Sequence, residues 1–291
     1  MGRDLLIRVT PPAVERSAAR SRGRPRSEPG IPAPLLFPAV LGVLFLVLPL
    51  IGLVIRAPWS AIGPALAEPQ VGQALRLSLV SATLATLVSV VLGVPIAWVL
   101  ARSTARGRTL LRALVTVPLV LPPVVGGVAL FLVLGRQGIV GRWLNESFGV
   151  TIPFTTAAVV IAETFVAMPF LVISVEGALR AADARFEDAA ATLGAGRWTT
   201  FRRVTLPLVS PGIAAGAVLC WARALGEFGA TITFAGNYPG TTQTMPLAVY
   251  LALQEDSEAA IALSLVLLVV SLATLLLLRD RWLGRTTAPV A

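Results

Sequence analysis

Residues 117–135 read VPLVLPPVVGGVALFLVLG, an uncharged and almost entirely apolar stretch. A helix needs about 20 predominantly apolar residues to cross the hydrocarbon core of a bilayer. The stretch therefore predicts a membrane-spanning segment. Its prolines, Pro118, Pro122 and Pro123, remove backbone donors and predict a kink. In lipid the freed carbonyls need partners, so this segment should face protein or a water-lined cavity, although a kink that serves packing alone explains the same residues.

The composition of the whole chain agrees with a membrane protein. The 291 residues are 56% hydrophobic and 13% charged, with a mean hydropathy of +0.82, whereas a soluble domain carries roughly 25% charged residues. Histidine is absent and Cys220 is the single cysteine, which excludes histidine metal sites, Ser-His triads and an intrachain disulfide. All 24 basic residues are arginine, so the lysine of a Walker A loop is absent too. These counts exclude an ordinary soluble enzyme and a standard P-loop ATPase.

Six apolar segments are long enough to span a bilayer, and together they predict an all-α polytopic membrane protein. With the N-terminus inside, 19 of the 24 arginines fall on cytosolic segments and four on outer segments. Because Lys and Arg accumulate in cytoplasmic loops, this distribution predicts that both termini are cytoplasmic, and it explains the net charge of +9 without nucleic acid. The predicted spans are about 35–55, 75–101, 110–134, 153–176, 208–235 and 259–278.

The rest of the chain consists of tails and loops around a membrane domain at 35–280. The Arg/Pro/Ser-rich tail 1–34 is predicted to be disordered and cytosolic, as is the short C-terminal tail 281–291. The basic start of the chain also resembles a signal peptide, but the apolar run 35–55 is too long for one and favours an uncleaved first helix. Between the last two spans, the apolar piece 246–254 is too short to cross a membrane.

The longest internal cytosolic segment, 177–207, has a regular pattern. It reads GALRAADARFEDAAATLGAGRWTTFRRVTLP. Gly194 can end a helix as its C′ residue, and Pro207 suits the first turn of the fifth span. An amphipathic helix here either lies in lipid headgroups or docks on a partner protein, and its alanine-rich face favours the partner. The residues at helical spacing that predict it are Leu179, Ala182, Phe186, Ala190 and Leu193.

The same segment resembles the EAA loop of ABC-importer permeases. That family pattern is Glu-Ala-Ala, three residues, Gly, nine residues, Ile, one residue and Leu-Pro. This chain has Asp188 in place of the glutamate and Val204 in place of the isoleucine, and Glu187 adjoins and can share the acidic role. The resemblance implies a type I ABC importer permease fold with six spans, in which this loop forms a coupling helix. The implied ATPase-coupling residues are Phe186, Glu187, Asp188, Ala189, Ala190, Gly194, Leu206 and Pro207.

The coupling helix of that family docks in a groove of a separate ATP-binding subunit. The resemblance therefore implies that ATP and Mg²⁺ bind to a partner chain, and that this chain is a transport subunit without enzymatic activity, cofactor or metal. The missing P-loop lysine agrees with ATP binding on a separate chain.

A second stretch, 221–250, narrows the resemblance. It reads WARALGEFGATITFAGNYPGTTQTMPLAVY and is similar to the molybdate branch, in which the ARALGEFGAT run and a GNxPGxTQT loop recur. This implies molybdate as the transported substrate, with tungstate as a second one. It also implies a homodimer in the lipid bilayer, an ATP-binding subunit dimer and an extracytoplasmic molybdate-binding protein. Sulfate/thiosulfate permeases share only the Gly-Glu-Phe/Tyr-Gly portion and pair with a different permease chain; they remain the alternative, and an ion-coupled secondary transporter is a distant one.

Polar residues inside the apolar segments are candidates for the pathway. Arg223 and Glu227 are four residues apart and should share a helix face. A charge at the bilayer centre costs about 2.5–3.5 kcal/mol on the insertion scale, so the two form either a structural ion pair or part of a wet gate. Glu163, in the fourth span, has no obvious local partner. The pathway or gate candidates are Arg223, Glu227, Gly229, Thr231, Thr233 and Asn237.

Two loops on the outer side complete the candidates. The uncharged loop 236–244 carries hydroxyl and amide groups that can line a path for an oxyanion without trapping it. The acidic residues Glu255, Asp256 and Glu258 form either a solvated rim or a docking contact for the binding protein.

Overall fold

The computed structural model describes residues 33–103 and 106–283, apart from some side chains near the end of the last helix. Every regular element within these ranges is helical, which confirms the predicted all-α class. The tail 1–34, except for its last two residues, and all but the first three residues of the tail 281–291 lie outside the described residues. The α-helices are α1 Ala33–Ile55, α2 Trp59–Ala67, α3 Pro69–Arg102, α4 Arg108–Val120, α5 Pro123–Leu134, α6 Gly141–Phe148, α7 Thr156–Ala181, α8 Arg185–Thr192, α9 Arg197–Thr200, α10 Leu206–Leu225, α11 Gly229–Phe234, α12 Met245–Glu255 and α13 Ser257–Leu283.

Five stretches of described helix are long and apolar enough to cross a membrane, and the bent pair α4–α5 would make a sixth. The predicted polytopic architecture is thereby confirmed. The apolar piece 246–254, predicted to be too short to span, lies in the separate helix α12, which has 11 residues. The five spanning stretches are Pro34–Ile55, Pro69–Arg102, Thr156–Ala181, Arg197–Leu225 and Ser257–Thr274.

The predicted third span, 110–134, is not one helix. It breaks after Val120, and α4 and α5 meet at an angle of 116°. Leu121 and Pro122 have extended ψ angles of 128° and 132°. The physical reason is the Pro122-Pro123 pair, because neither residue can donate a helical hydrogen bond and each disfavours a helical residue before it. The sequence predicted a kink within one helix, whereas the structure has a sharp turn between two separate helices.

The predicted fifth span, 208–235, also differs from the structure. It ends as a long helix at Leu225, and the short helix α11 begins only at Gly229. At its other end Pro207 lies in the first turn of α10, as predicted, although the helical path before it is continuous from Arg197. A π turn at Phe201–Thr205, in which the Leu206 N–H bonds to the Phe201 carbonyl, precedes the proline. The wider turn accommodates Pro207, which has no N–H to donate to the preceding turn.

The predicted amphipathic helix in 177–207 is interrupted as well. Leu179 belongs to the end of α7, whereas Phe186 and Ala190 belong to α8. The chain leaves the helix at Ala182, whose ψ is 132°, and the Asp183 carboxylate accepts the backbone N–H of Arg185 at 2.9 Å. An aspartate that bonds to a nearby backbone N–H competes with the helical ladder and starts a new helix.

Helices α3, α7 and α10 form the centre of the described membrane domain. Their contact surface combines leucine and valine with small residues, and the small residues let the backbones approach closely. A Cβ added at Gly93 would lie 2.8 Å from Leu171 and 3.1 Å from Val172, and one at Gly216 would lie 3.1 Å from the Leu171 carbonyl oxygen. This three-helix core is the frame that carries α5, α8 and α11, the elements of the candidate sites.

Candidate pathway and coupling sites

The short helices α5 and α11 pack against each other backbone to backbone. A Cβ added at Gly127 would overlap the Thr233 hydroxyl and lie 2.7 Å from the Ala230 carbonyl oxygen. At Gly229 it would lie 3.0 Å from Pro123. The Thr233 hydroxyl donates to its own helix, at 2.9 Å from the Gly229 carbonyl oxygen. The structure thus places the candidates Gly229 and Thr233 at a glycine-mediated contact between two broken spans.

Arg223 and Glu227 form the ion pair that their spacing suggested, at 2.7 Å. Contrary to the prediction, they do not share one helix, because Glu227 lies in the break between α10 and α11. Its second oxygen accepts the backbone N–H of Ala230 at 2.8 Å, so the carboxylate caps α11. The Glu227 side chain is 1% exposed and that of Arg223 27% exposed. Glu227 therefore joins the end of one helix to the start of the next, which favours the structural interpretation over the gate.

The remaining pathway candidates are placed on and just after α11. Thr231 is fully buried on α11, and Asn237 lies in the following loop. Among the described residues, neither the Thr231 hydroxyl nor the Asn237 side-chain oxygen has a hydrogen-bond partner. Glu163, which lacked a partner in the sequence, accepts a hydrogen bond from Ser81 at 2.8 Å. The two residues are 82 positions apart, so no local pattern could have joined them.

We expect Glu227→Gln to lower the free energy of unfolding by about 1–3 kcal/mol, because Arg223 then loses its counter-charge within the membrane domain. The measurement is thermal unfolding of the purified protein in one detergent. Glu146→Gln is the matched control, because it breaks an i,i+4 Arg–Glu pair whose side chains are 60–70% exposed. Exposed pairs contribute about 0–1 kcal/mol, so its shift should be much smaller. Equal shifts in the two variants would contradict a structural role for the Arg223–Glu227 pair.

Helix α8 ends in the way the sequence predicted. Gly194 has a left-handed φ of +83°. Its N–H bonds to the Ala191 carbonyl, and the Ala195 N–H bonds to the Ala190 carbonyl, both at 3.0 Å. These two bonds are those of a Schellman motif, whose C′ position favours glycine. Gly194 therefore fixes where the chain turns back toward the membrane domain.

Glu187 ties α8 to the rest of the chain. One of its carboxylate oxygens accepts from Arg102 at 2.9 Å and from the Thr205 hydroxyl at 3.0 Å. The sequence grouped Glu187 with Asp188 as one acidic feature. The structure separates their environments, because Glu187 bonds to the end of α3 and to the π turn, whereas Asp188 is exposed. Arg102 and Thr205 were not predicted as site residues, since they lie 85 and 18 positions from Glu187.

The other predicted coupling residues lie on α8, just after it and at the start of α10. Ala189, Gly194 and Pro207 are exposed, and Ala190 and Leu206 are half-buried. Large apolar side chains are also exposed here, namely Phe186 at 57%, Leu193 at 88% and Trp198 at 71%. We call these three the coupling surface; Trp198, which stacks on Phe201 with ring centroids 5.6 Å apart, was missed by the sequence analysis.

The Arg185 guanidinium beside Asp183 lowers the pKa of that carboxyl below its ordinary value, and the Arg185 backbone N–H adds to the effect. Asp183 therefore stays ionised at neutral pH, and the break before α8 persists there. Its contribution to stability is present above the ordinary aspartate pKa and is lost as the pH falls through the lowered pKa.

The broken spans and the three-helix core define a polytopic helical membrane protein. Residues 89–288 match the family described as binding-protein-dependent transport system inner membrane component, and the chain belongs to that family. The prediction of a transport subunit rather than an enzyme is confirmed, since the curated relatives below are named as permeases.

Two similar relatives are molybdenum transport system permease proteins ModB. The protein of Mycobacterium tuberculosis (strain ATCC 25618 / H37Rv) is 51% identical over 241 residues, covering 83% of this chain and 91% of the relative. That of Escherichia coli (strain K12) is 45% identical over 213 residues, covering 73% and 93%. The sulfate transport system permease protein CysT of Escherichia coli (strain K12) is 39% identical over 236 residues, covering 80% and 85%.

Solved structures support the fold. A bacterial ABC transporter that imports the acidic polysaccharide alginate matches with a TM-score of 0.70 at 20% identity, covering 87% of this chain and 95% of that one. A second structure, of a bacterial alginate transporter in complex with its alginate pentasaccharide-bound periplasmic protein, matches with a TM-score of 0.69 at 20% identity, covering 87% and 96%. The predicted ABC-importer permease fold is therefore confirmed.

Proposed function

We propose that this chain is the permease subunit of an ATP-driven importer of molybdate, with tungstate as a second substrate. The observation that carries the proposal is the identity of 51% and 45% to two ModB proteins over most of both chains. The identity to the sulfate permease CysT is lower, at 39%. The neutral loop Gly236–Thr244 supports an oxyanion path, because it offers hydroxyl and amide groups without a trapping charge.

Two copies of the chain would enclose one pathway, with both termini in the cytoplasm. Each copy would seat its coupling surface on one ATP-binding subunit, which binds ATP and Mg²⁺. The exposed Phe186, Leu193 and Trp198 support this contact, since apolar side chains in water favour burial against a partner. A molybdate-binding protein would dock on the outer side, where Glu255, Asp256 and Glu258 are exposed.

Transport would follow alternating access by rigid-body motion. ATP binding would bring the two ATP-binding subunits together and move each α8 with its subunit. Glu187 would carry that motion to α3 and to the π turn before α10, because it bonds to Arg102 and Thr205. The free energy of ATP binding would thus reach the helices through hydrogen bonds rather than through a flexible loop.

Reconstitution of the chain with its ATP-binding subunit and binding protein in vesicles tests this function. We expect ATP turnover and uptake to rise with molybdate and tungstate and to stay at the basal level with sulfate. Stimulation by sulfate, together with a second, different permease chain in the mass of the complex, would establish the sulfate alternative. Uptake by this chain alone under an ion gradient would establish a secondary transporter.

A further inference from the structure

A cavity of about 370 Å³ lies between the C-terminal ends of α3 and α7 and the middle of α4. Two arginines, Arg112 and Arg180, line it together with Glu176. The rest of the lining is largely apolar and includes Leu100 and Val172. The cavity therefore combines a charged rim with a hydrocarbon wall, and nothing in the proposed transport cycle uses it.

Glu176 holds the two arginines in place. Its carboxylate is buried, with 9% of the side chain exposed, and it pairs with Arg112 and with Arg180. Arg180 contacts it through two nitrogens, at 3.0 Å and 2.8 Å. Both arginine side chains stay 42% exposed. One carboxylate thus orients two guanidinium groups, and the cluster keeps a net charge of +1.

The cluster has more donors than acceptors. A guanidinium carries five N–H donors and no acceptor. The Nε atom of Arg112 is buried and has no hydrogen-bond partner among the described residues. Glu176 engages one nitrogen of Arg112 and two of Arg180, and both side chains are 42% exposed, so further N–H donors of the two guanidiniums are left for an acceptor group in the cavity. The site therefore favours an anion with several oxygens.

We propose that this cavity binds one anionic phospholipid, with the lipid phosphate on Arg112 and Arg180 and an acyl chain along the apolar wall. Arginine pairs with phosphate through two parallel hydrogen bonds. The wall, with Val115 and the 47%-exposed Ile173, suits a hydrocarbon chain rather than a hydrated free anion. The proposed lipid site does not depend on molybdate being the substrate. Its assignment to the cytoplasmic leaflet rests on the cytosolic location proposed for these arginines.

The test measures phosphatidylglycerol retained by the purified permease complex, using native mass spectrometry and vesicles of phosphatidylcholine with or without phosphatidylglycerol. We expect Arg112→Gln and Arg180→Gln each to weaken phosphatidylglycerol binding about fivefold, the effect of one arginine at an anionic surface. Arg142→Gln is the matched control, because Arg142 also pairs with a glutamate but lies outside the cavity, on α6. Glu176→Gln keeps an amide oxygen that can accept from both guanidiniums and removes the competing negative charge, so it should retain binding.

The proposal is overturned if both cavity variants retain as much phosphatidylglycerol as Arg142→Gln while remaining monodisperse. Displacement of the lipid by millimolar inorganic phosphate or molybdate would overturn it as well, because the site would then accept a free oxyanion. Loss of binding in Glu176→Gln alone, with both arginine variants unchanged, would leave the arginines without a role as ligands and contradict the assignment.

Discussion

Gly127→Ala is expected to abolish uptake and to lower the free energy of unfolding by about 1–3 kcal/mol or more. The added methyl group would overlap the Thr233 hydroxyl and lie 2.9 Å from the Ala230 Cα atom. Two of the three nearest atoms belong to backbone, so the clash cannot be relieved by a side-chain rotation. Helices α5 and α11 must separate, which breaks the close contact between the two broken spans.

The measurements are uptake in reconstituted vesicles and thermal unfolding in detergent. Gly72→Ala is the matched control, because Gly72 lies in α3 and a Cβ there meets nothing within 4 Å. It should leave uptake intact and can raise stability slightly, since alanine favours a helix over glycine by about 1 kcal/mol. Normal uptake and stability in Gly127→Ala would show that α5 and α11 do not pack as described.

Gly194→Ala is expected to reduce uptake and the substrate-stimulated ATP turnover of the assembled complex about 5–30-fold. A left-handed φ costs an L-residue roughly 1–2 kcal/mol, which corresponds to that factor in an equilibrium constant. No atom lies within 4 Å of a Cβ at this position, so strain at the φ of +83° is the expected cause. The turn after α8 would open, and the coupling surface would lose its fixed position.

Gly196→Ala provides the control for this prediction. It lies two residues further along the same loop, has a φ of −67° and also has open space around its Cβ position. An alanine fits there without strain, so uptake and ATP turnover should match the unsubstituted protein. Similar losses in both variants would indicate a general sensitivity of the loop, and no loss in either would count against α8 as the coupling element.

The spans could be predicted from the sequence wherever one local property decided the outcome. Long apolar runs without charge are costly outside a membrane or a protein interior, so α1, α3, α7 and α13 were predicted, with boundary errors of up to six residues. The breaks were harder to place. The proline pair at 122–123 predicted a kink but not its angle of 116°. The end of α10 at Leu225 is set partly by the Glu227 side chain, which competes with continued helix.

In the segment 177–207, too, local features could be predicted from the sequence and long-range contacts could not. Gly194 was correctly assigned as the residue that ends a helix, because a Schellman turn depends only on residues within the preceding turn. The helix before it was predicted too long, because the helical spacing of apolar residues continues across Asp183 whereas the helix itself is interrupted there. The direction of Glu187 toward Arg102 could not be inferred, because 85 residues separate them.

The sequence alone therefore determined the all-α membrane class, the number of apolar segments, the family resemblance and the glycine that ends α8. Each follows from composition or from residues that are close together along the chain. Only the tertiary structure decided which carboxylate faces which arginine, how Gly127 meets Ala230, and that Glu176 holds Arg112 beside Arg180. Those contacts join distant helices, and their geometry depends on how the helices pack, which no local pattern encodes.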